Sequence, residues 1–204
     1  QPPGGPTIAN CPMFPADNYW NARVDALPTH PQSAAWIESI GSSESFHMDF
    51  GSGEWDGGLI GIPFNIVAGS TVPKFEPEFY YPDESDAGPY PIPDNPNIEW
   101  GSDHRILVVD TETCILYETY DMSFDNGVWS GGSGAIWDLN SNALRPDTWT
   151  SADAAGLPIL PGLVRYDEIV AGEIQHALRF TVEDTAGYIW PARHLTADAQ
   201  DGIP

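Results

Sequence analysis

The stretch from Gly132 to Asp153, GSGAIWDLNSNALRPDTWTSAD, gathers the residue types that handle sugars. Trp137 and Trp149 offer flat apolar faces on which the C–H faces of a pyranose can stack, and Asp138, Asn140, Asn142 and Asp153 offer acceptors and donors for hydroxyl groups. Its glycines allow close backbone approach. Two carboxylates on one cleft, Asp138 with Asp153 or Glu118, could serve as general acid and as base or nucleophile in glycosidic cleavage. A separation of about 5–5.5 Å would give retention and about 6.5–9.5 Å inversion. The competing structural use is that Asp and Asn cap turns while the tryptophans fill a core.

Histidines make a second set. His104 opens one strand pattern, His176 sits in the apolar face of another, and His47 and His194 follow aromatic or apolar stretches. No HxH or HxxxH spacing occurs, so a transition-metal site built on His104, His176 and His194 would have to be assembled from separate elements. A buried, hydrogen-bonded core histidine is the simpler use of His176. If His176 or Tyr166 lay beside Arg179, proton abstraction next to a cation would suit a lyase acting on uronates. Period-2 patterning, however, puts Arg179 on the opposite strand face from His176. A third set, Asp83, Glu84 and Asp86 with Asp94 nearby, could order its loop around calcium, although it lacks the glycine and distal glutamate of an EF-hand. No cofactor is required by any motif: GxSxG, Walker, dinucleotide and HExxH patterns are all missing.

These residues belong to a chain that is long enough, at 204 residues with 41% hydrophobic content, to bury a sizeable core as one domain. Twenty glycines and twenty prolines interrupt regular elements and favour short strands joined by turns. The expected fold is mainly β, a single-domain sandwich or irregular barrel with a few short helices and long Pro/Gly-rich loops. Residues 1–13 read as an irregular arm and 14–204 as the domain. The formal charge of −23 repels phosphate backbones and anionic lipid, which argues against nucleic acid and favours a neutral or cationic partner. It also suits a solvated surface adapted to salt. No apolar run reaches the roughly 18 residues of a membrane span. The start QPPGGP, without an initiator methionine, reads as the residue left after export, and Cys11 and Cys114, far apart and outside any CxxC, read as a disulfide. A secreted, extracellular protein is the expectation.

Element patterns position the candidates. Helices are expected at Ser33–Ile40, with Ser33 as cap and Gly41 as stop, near TSADAAG at 150–156, and at Tyr166–Ala171. Strands are expected at Leu59–Val67, with Pro63 marking an edge, and at Lys74–Tyr81, His104–Asp110, Cys114–Tyr120, Val128–Leu139, Ile174–Val182 and Tyr188–Trp190. The Thr-Glu-Thr connection makes 104–120 a hairpin, and apolar residues on both faces of His104–Asp110 make that strand central. The segment between Tyr81 and Trp100 reads as a long ordered loop.

FPADNYWN at 14–21, WDGGLIGIPF at 55–64, DESDAGPYPIP at 83–93, HRILVVDTETCILYE at 104–118, GSGAIWDLNSNALRP at 132–146, TSADAAGLPILPGLVRYDEI at 150–169 and IQHALRFTV at 174–182 resemble segments of a family of secreted bacterial proteins. Some members are attached to carbohydrate-binding or fibronectin-like modules, and similar proteins continue past the position of Pro204. The resemblance spans nearly the whole chain and implies secretion. It brings no activity or catalytic residues. The functional expectation therefore rests on the residues: a secreted carbohydrate-active hydrolase with paired carboxylates acting on a polysaccharide. The alternatives are a non-catalytic glycan-binding or surface-adhesion protein that uses Trp137, Trp149 and Tyr166, and a His-ligated metal-dependent enzyme.

Overall fold

The structure, a computed structural model, describes residues 6–45, 50–182 and 185–195. Its elements in chain order are β1 (Thr7–Ile8), β2 (Cys11–Pro12), α1 (Ser33–Ile40), β3 (Glu54–Trp55), β4 (Gly58–Leu59), β5 (Phe64–Val67), β6 (Glu78–Phe79), β7 (Ile106–Asp110), β8 (Ile115–Tyr120), β9 (Ser123–Asp125), β10 (Val128–Gly131), β11 (Ser133–Asp138) and α2 (Tyr166–Ala171). The fold is mainly β, built from several open sheets, none of them closed into a barrel.

A four-stranded sheet in the order β11-β8-β7-β5 is the centre, with β5 parallel to β7 and the other pairs antiparallel. All five residues of β7 are buried, as expected for a strand with two apolar faces. Register assigns the faces. Leu107, Glu118 and Ala135 form one cross-strand row and Val109, Leu116 and Trp137 the next, and both rows look into the same apolar cluster. Ile8, Cys11, Met13, Phe14, Trp20, Ile159 and Leu160 complete that cluster. Each fully buried leucine or isoleucine in it contributes roughly 1.5–3 kcal/mol.

The opposite face carries Ile106, Val108, Tyr117 and Ile136. Tyr90, Ile92, Met122 and Trp129 cover it, and Trp129 belongs to a second sheet, in the order β6-β10-β9. The chain passes from that sheet to the central one at Gly132, where strand 128–139, expected as one piece broken by glycines, divides into β10 and β11. A side chain at Gly132 would collide with the Tyr120 ring, and one at Gly134 with Phe79 and the Tyr90 hydroxyl. These glycines admit the protein's own aromatic rings. The outer edge of β11 is covered by the acidic loop: Asp86 N–H donates to the Gly134 carbonyl, Gly134 N–H to Ser85 Oγ and Ile136 N–H to Asp86 Oδ2.

Several expectations change. Among the described residues of the N-terminal arm, β1 and β2 pair as a hairpin and the Cys11–Cys114 disulfide fixes it beside the β7–β8 turn. Ile174–Val182 is no strand: it lacks a partner ladder and makes single bonds, Ala177 N–H to Trp20 O and Arg179 N–H to Gly162 O. Its supposed core face is open, since Leu178 and Phe180 are exposed. TSADAAG forms no helix, because Ser151 and Asp153 side chains take up the local backbone groups: Asp153 N–H donates to Ser151 Oγ, and Ala155 N–H to Asp153 Oδ1. Tyr188–Trp190 is irregular, and Lys74–Tyr81 yields only β6 and a bridge from Phe75 to Tyr90. Leu59–Val67 divides between β4, whose Leu59 is exposed, and β5, an edge strand that starts just after Pro63. α1 and α2 span the expected residues, with Gln32 rather than Ser33 at the N-cap of α1.

Candidate functional site

The three carboxylates expected to share a cleft are divided by the central sheet. Glu118 pairs in register with Ala135, and Asp138, three residues further along β11, points to the opposite face. Glu118 is sealed in the core. Its Oε1 and Oε2 accept from Ile159 N–H at 3.0 and 2.8 Å, and Oε1 also accepts from Leu160 N–H at 2.8 Å. Burial pushes its carboxyl up to about 7, against the pull of the Leu160 and Ile159 amides. It satisfies the backbone of a chain segment that has no sheet to join, and no substrate reaches it.

Asp138 is exposed, and its Oδ1 accepts from the backbone N–H of Asn140 at 2.9 Å and from Asn140 Nδ2. This is an Asx turn closing β11, the structural use set against catalysis above. Asp153 is held by Arg179, whose Nε lies 2.6 Å from Oδ2. Asn142 bridges Asp17 and Asn18 at the surface, tying the N-terminal segment to the 138–142 turn. Tyr166 opens α2 and is largely exposed.

The two tryptophans expected to stack on sugar hold a cation instead. Trp137 is 3% exposed, and the guanidinium of Arg145 lies 5.6 Å from its ring and 5.4 Å from that of the half-buried Trp149. Arg145 Nη1 then donates to Asp86 Oδ2 at 2.5 Å and Nη2 to the Glu84 carbonyl at 2.8 Å. The 137–149 stretch is thereby riveted to the acidic loop. Asp86 and Glu84 are committed: Glu84 Oε2 accepts from Thr150 N–H at 3.2 Å and lies 3.6 Å from His194 Nε2. Asp83 stays at the surface of the short 3-10 turn.

The histidines do not converge. His104, exposed, lies 4.0 Å from Asp121, and His194 Nδ1 faces the Ala154 carbonyl. His176, with a fully buried side chain, meets acceptors at both nitrogens: the Ala177 carbonyl at 2.7 Å and Glu168 at 3.0 Å. Glu168 in turn receives Arg165 Nη2 at 2.9 Å, so His176 is a core histidine fastening α2 to the following segment. His47 lies outside the described residues. Among the described residues no group of three or more His, Cys, Asp or Glu could hold a metal ion.

One open concavity combines aromatic, apolar and charged side chains. It has a volume of about 360 Å³ and is lined by Lys74, Phe75, Glu76, Pro89, Val128 and Trp129. β9 and β10 position it: Phe124, 54% exposed, lies 4.9 Å from the Trp129 ring and 6.3 Å from Phe75. Register places Phe124 opposite Trp129. Lys74, the chain's single lysine, stands at its mouth beside Glu76. Pattern reading passed over this group because its members come from two distant segments. The one visible signal was Asn126–Gly127, a two-residue hairpin loop that sets Phe124 against Trp129. A second hollow of about 360 Å³ under α2, lined by Glu168, Ile169, Gly172, Glu173 and Ile174, carries carboxylates but no aromatic wall.

Compared with family profiles, curated proteins and solved structures, the chain matches none. Among the described residues no helix is long and apolar enough to cross a membrane.

Proposed function

We propose that this is an extracytoplasmic glycan-binding or surface-adhesion protein whose ligand, a neutral polysaccharide, lies across the concavity lined by Phe75 and Trp129 and onto the neighbouring Phe124. The observation that carries the reading is that concavity itself: open to solvent, lined by the partly exposed Phe75 and the edge of the largely buried Trp129, with the exposed Phe124 packed beside them, and flanked by one ammonium and one carboxylate that can hydrogen-bond hydroxyl groups. A neutral ligand follows from the charge of −23, since a polyanion would approach against the field of the whole molecule. The disulfide fits an oxidising compartment. Hydrolysis by paired carboxylates draws less support, because Asp138 and Glu118 face opposite sides of the sheet and Asp153 is held by Arg179.

The test is retention on a panel of immobilised neutral polysaccharides. Wild type and Asp138→Asn should be retained equally on at least one of them, and Phe124→Ala and Lys74→Ala should each lose retention while keeping the wild-type circular dichroism. Retention unchanged in both of the latter variants, or turnover of any glycan that Asp138→Asn abolishes, would remove the proposal.

A further inference from the structure

The β9–β10 loop carries the chain's single Asn-Gly pair, Asn126–Gly127, at the rim of the concavity. Both residues are exposed, with φ of 50° and 90°. The ladder ends at the Asp125–Val128 pair, so the Gly127 amide lies in the loop, and no hydrogen bond from it is found among the described residues. Gly127 has no side chain to obstruct its nitrogen. The Asn126 side-chain amide donates to Asp125 Oδ2 at 2.9 Å, which places a carboxylate beside the nitrogen that would leave.

We infer that Asn126 is a site of spontaneous deamidation that ages this loop. The Gly127 nitrogen gives its proton to a solvent base and attacks Cγ of Asn126. The new N–Cγ bond forms as the Cγ–Nδ2 bond breaks, and Nδ2 takes a proton from water and leaves as ammonia. Water then opens the resulting succinimide at either carbonyl, giving aspartate or isoaspartate. The net change is one water consumed and one ammonia released, with no oxidant or reductant. Either product adds a negative charge next to Asp125. Isoaspartate also lengthens the main chain by one methylene inside a two-residue loop whose length fixes the register of the hairpin. The Phe124–Trp129 contact, 4.9 Å between ring centres, depends on that register.

Other asparagines provide internal controls. Asn140 and Asn142 are also exposed, and their side-chain amides are hydrogen-bonded to a carboxylate as that of Asn126 is, but a residue with a side chain follows each. The full chain is incubated in mildly alkaline buffer and sampled by tandem mass spectrometry with a fragmentation that separates aspartate from isoaspartate. The expected result is the mass gain of one Asn-to-Asp exchange at Asn126 well before Asn140 or Asn142, with isoaspartate present, and no such gain in Asn126→Gln. Modification that starts at another asparagine, or none at Asn126 when the others have reacted, overturns the inference. Loss of glycan retention on ageing rests on the reading of the concavity given above. Aged protein that carries the modification yet keeps its retention would refute that reading and leave the modification standing.

Discussion

The core carboxylate offers the most quantitative check. Glu118 is 0% exposed and titrates near 7 because desolvation of its charge outweighs the two backbone amides it accepts from. In the unfolded chain a glutamate titrates near 4.3, so between those values the native protein holds a proton that the unfolded chain has released. Stability from this group is therefore full below about pH 4 and is lost as the pH rises through about 7. The difference corresponds to roughly 3.5 kcal/mol. Glu118→Gln is the neutral mimic: it keeps an acceptor oxygen for Ile159 and Leu160 and has no charge to desolvate. Urea unfolding of wild type and Glu118→Gln at pH 5 and pH 8 isolates the group, because every other titration is common to both chains. The variant should gain about 2.5 kcal/mol relative to wild type between the two pH values, since roughly 1 kcal/mol of the effect is already in place at pH 5 on the same linkage. Parallel stability curves for the two proteins would show that Glu118 stays ionised in the core, and the argument from desolvation would fail.

Two further perturbations test the surroundings of the site. Arg145→Ala removes the cation between Trp137 and Trp149 and a charge-assisted bond to the partly exposed Asp86, so chemical denaturation should show a loss of about 2–3 kcal/mol. Glycan retention by the protein that remains folded should be unchanged. Replacing Cys11 and Cys114 by serine opens a bridge spanning 103 residues, and urea unfolding should show a loss approaching the roughly 4.7 kcal/mol of loop entropy such a span confers. A loss under about 1 kcal/mol would mean that the unfolded chain already holds its N-terminal segment near the β7–β8 turn.

Local patterns settled what local physics governs. Alternation in His104–Tyr120 with apolar residues on both faces allowed only a central hairpin, and β7 and β8 are that hairpin. The glycines at 131–134 marked a break, and the chain changes sheets there. The two isolated cysteines likewise form the disulfide that their spacing suggested. Partnership was beyond reach. Ile174–Val182 alternates as well as any strand in the chain, yet a strand exists only where another edge accepts its hydrogen bonds, and among the described residues none does. Trp137 and Asp138 are neighbours in sequence, and both looked fit for sugar. Pleating sends one into the core against Arg145, on the face it shares with Glu118, and leaves the other in a surface turn. Composition names the groups that could do chemistry; the register of β11 on β8 decides which of them share a side of the sheet, because a period of two sends adjacent residues to opposite faces.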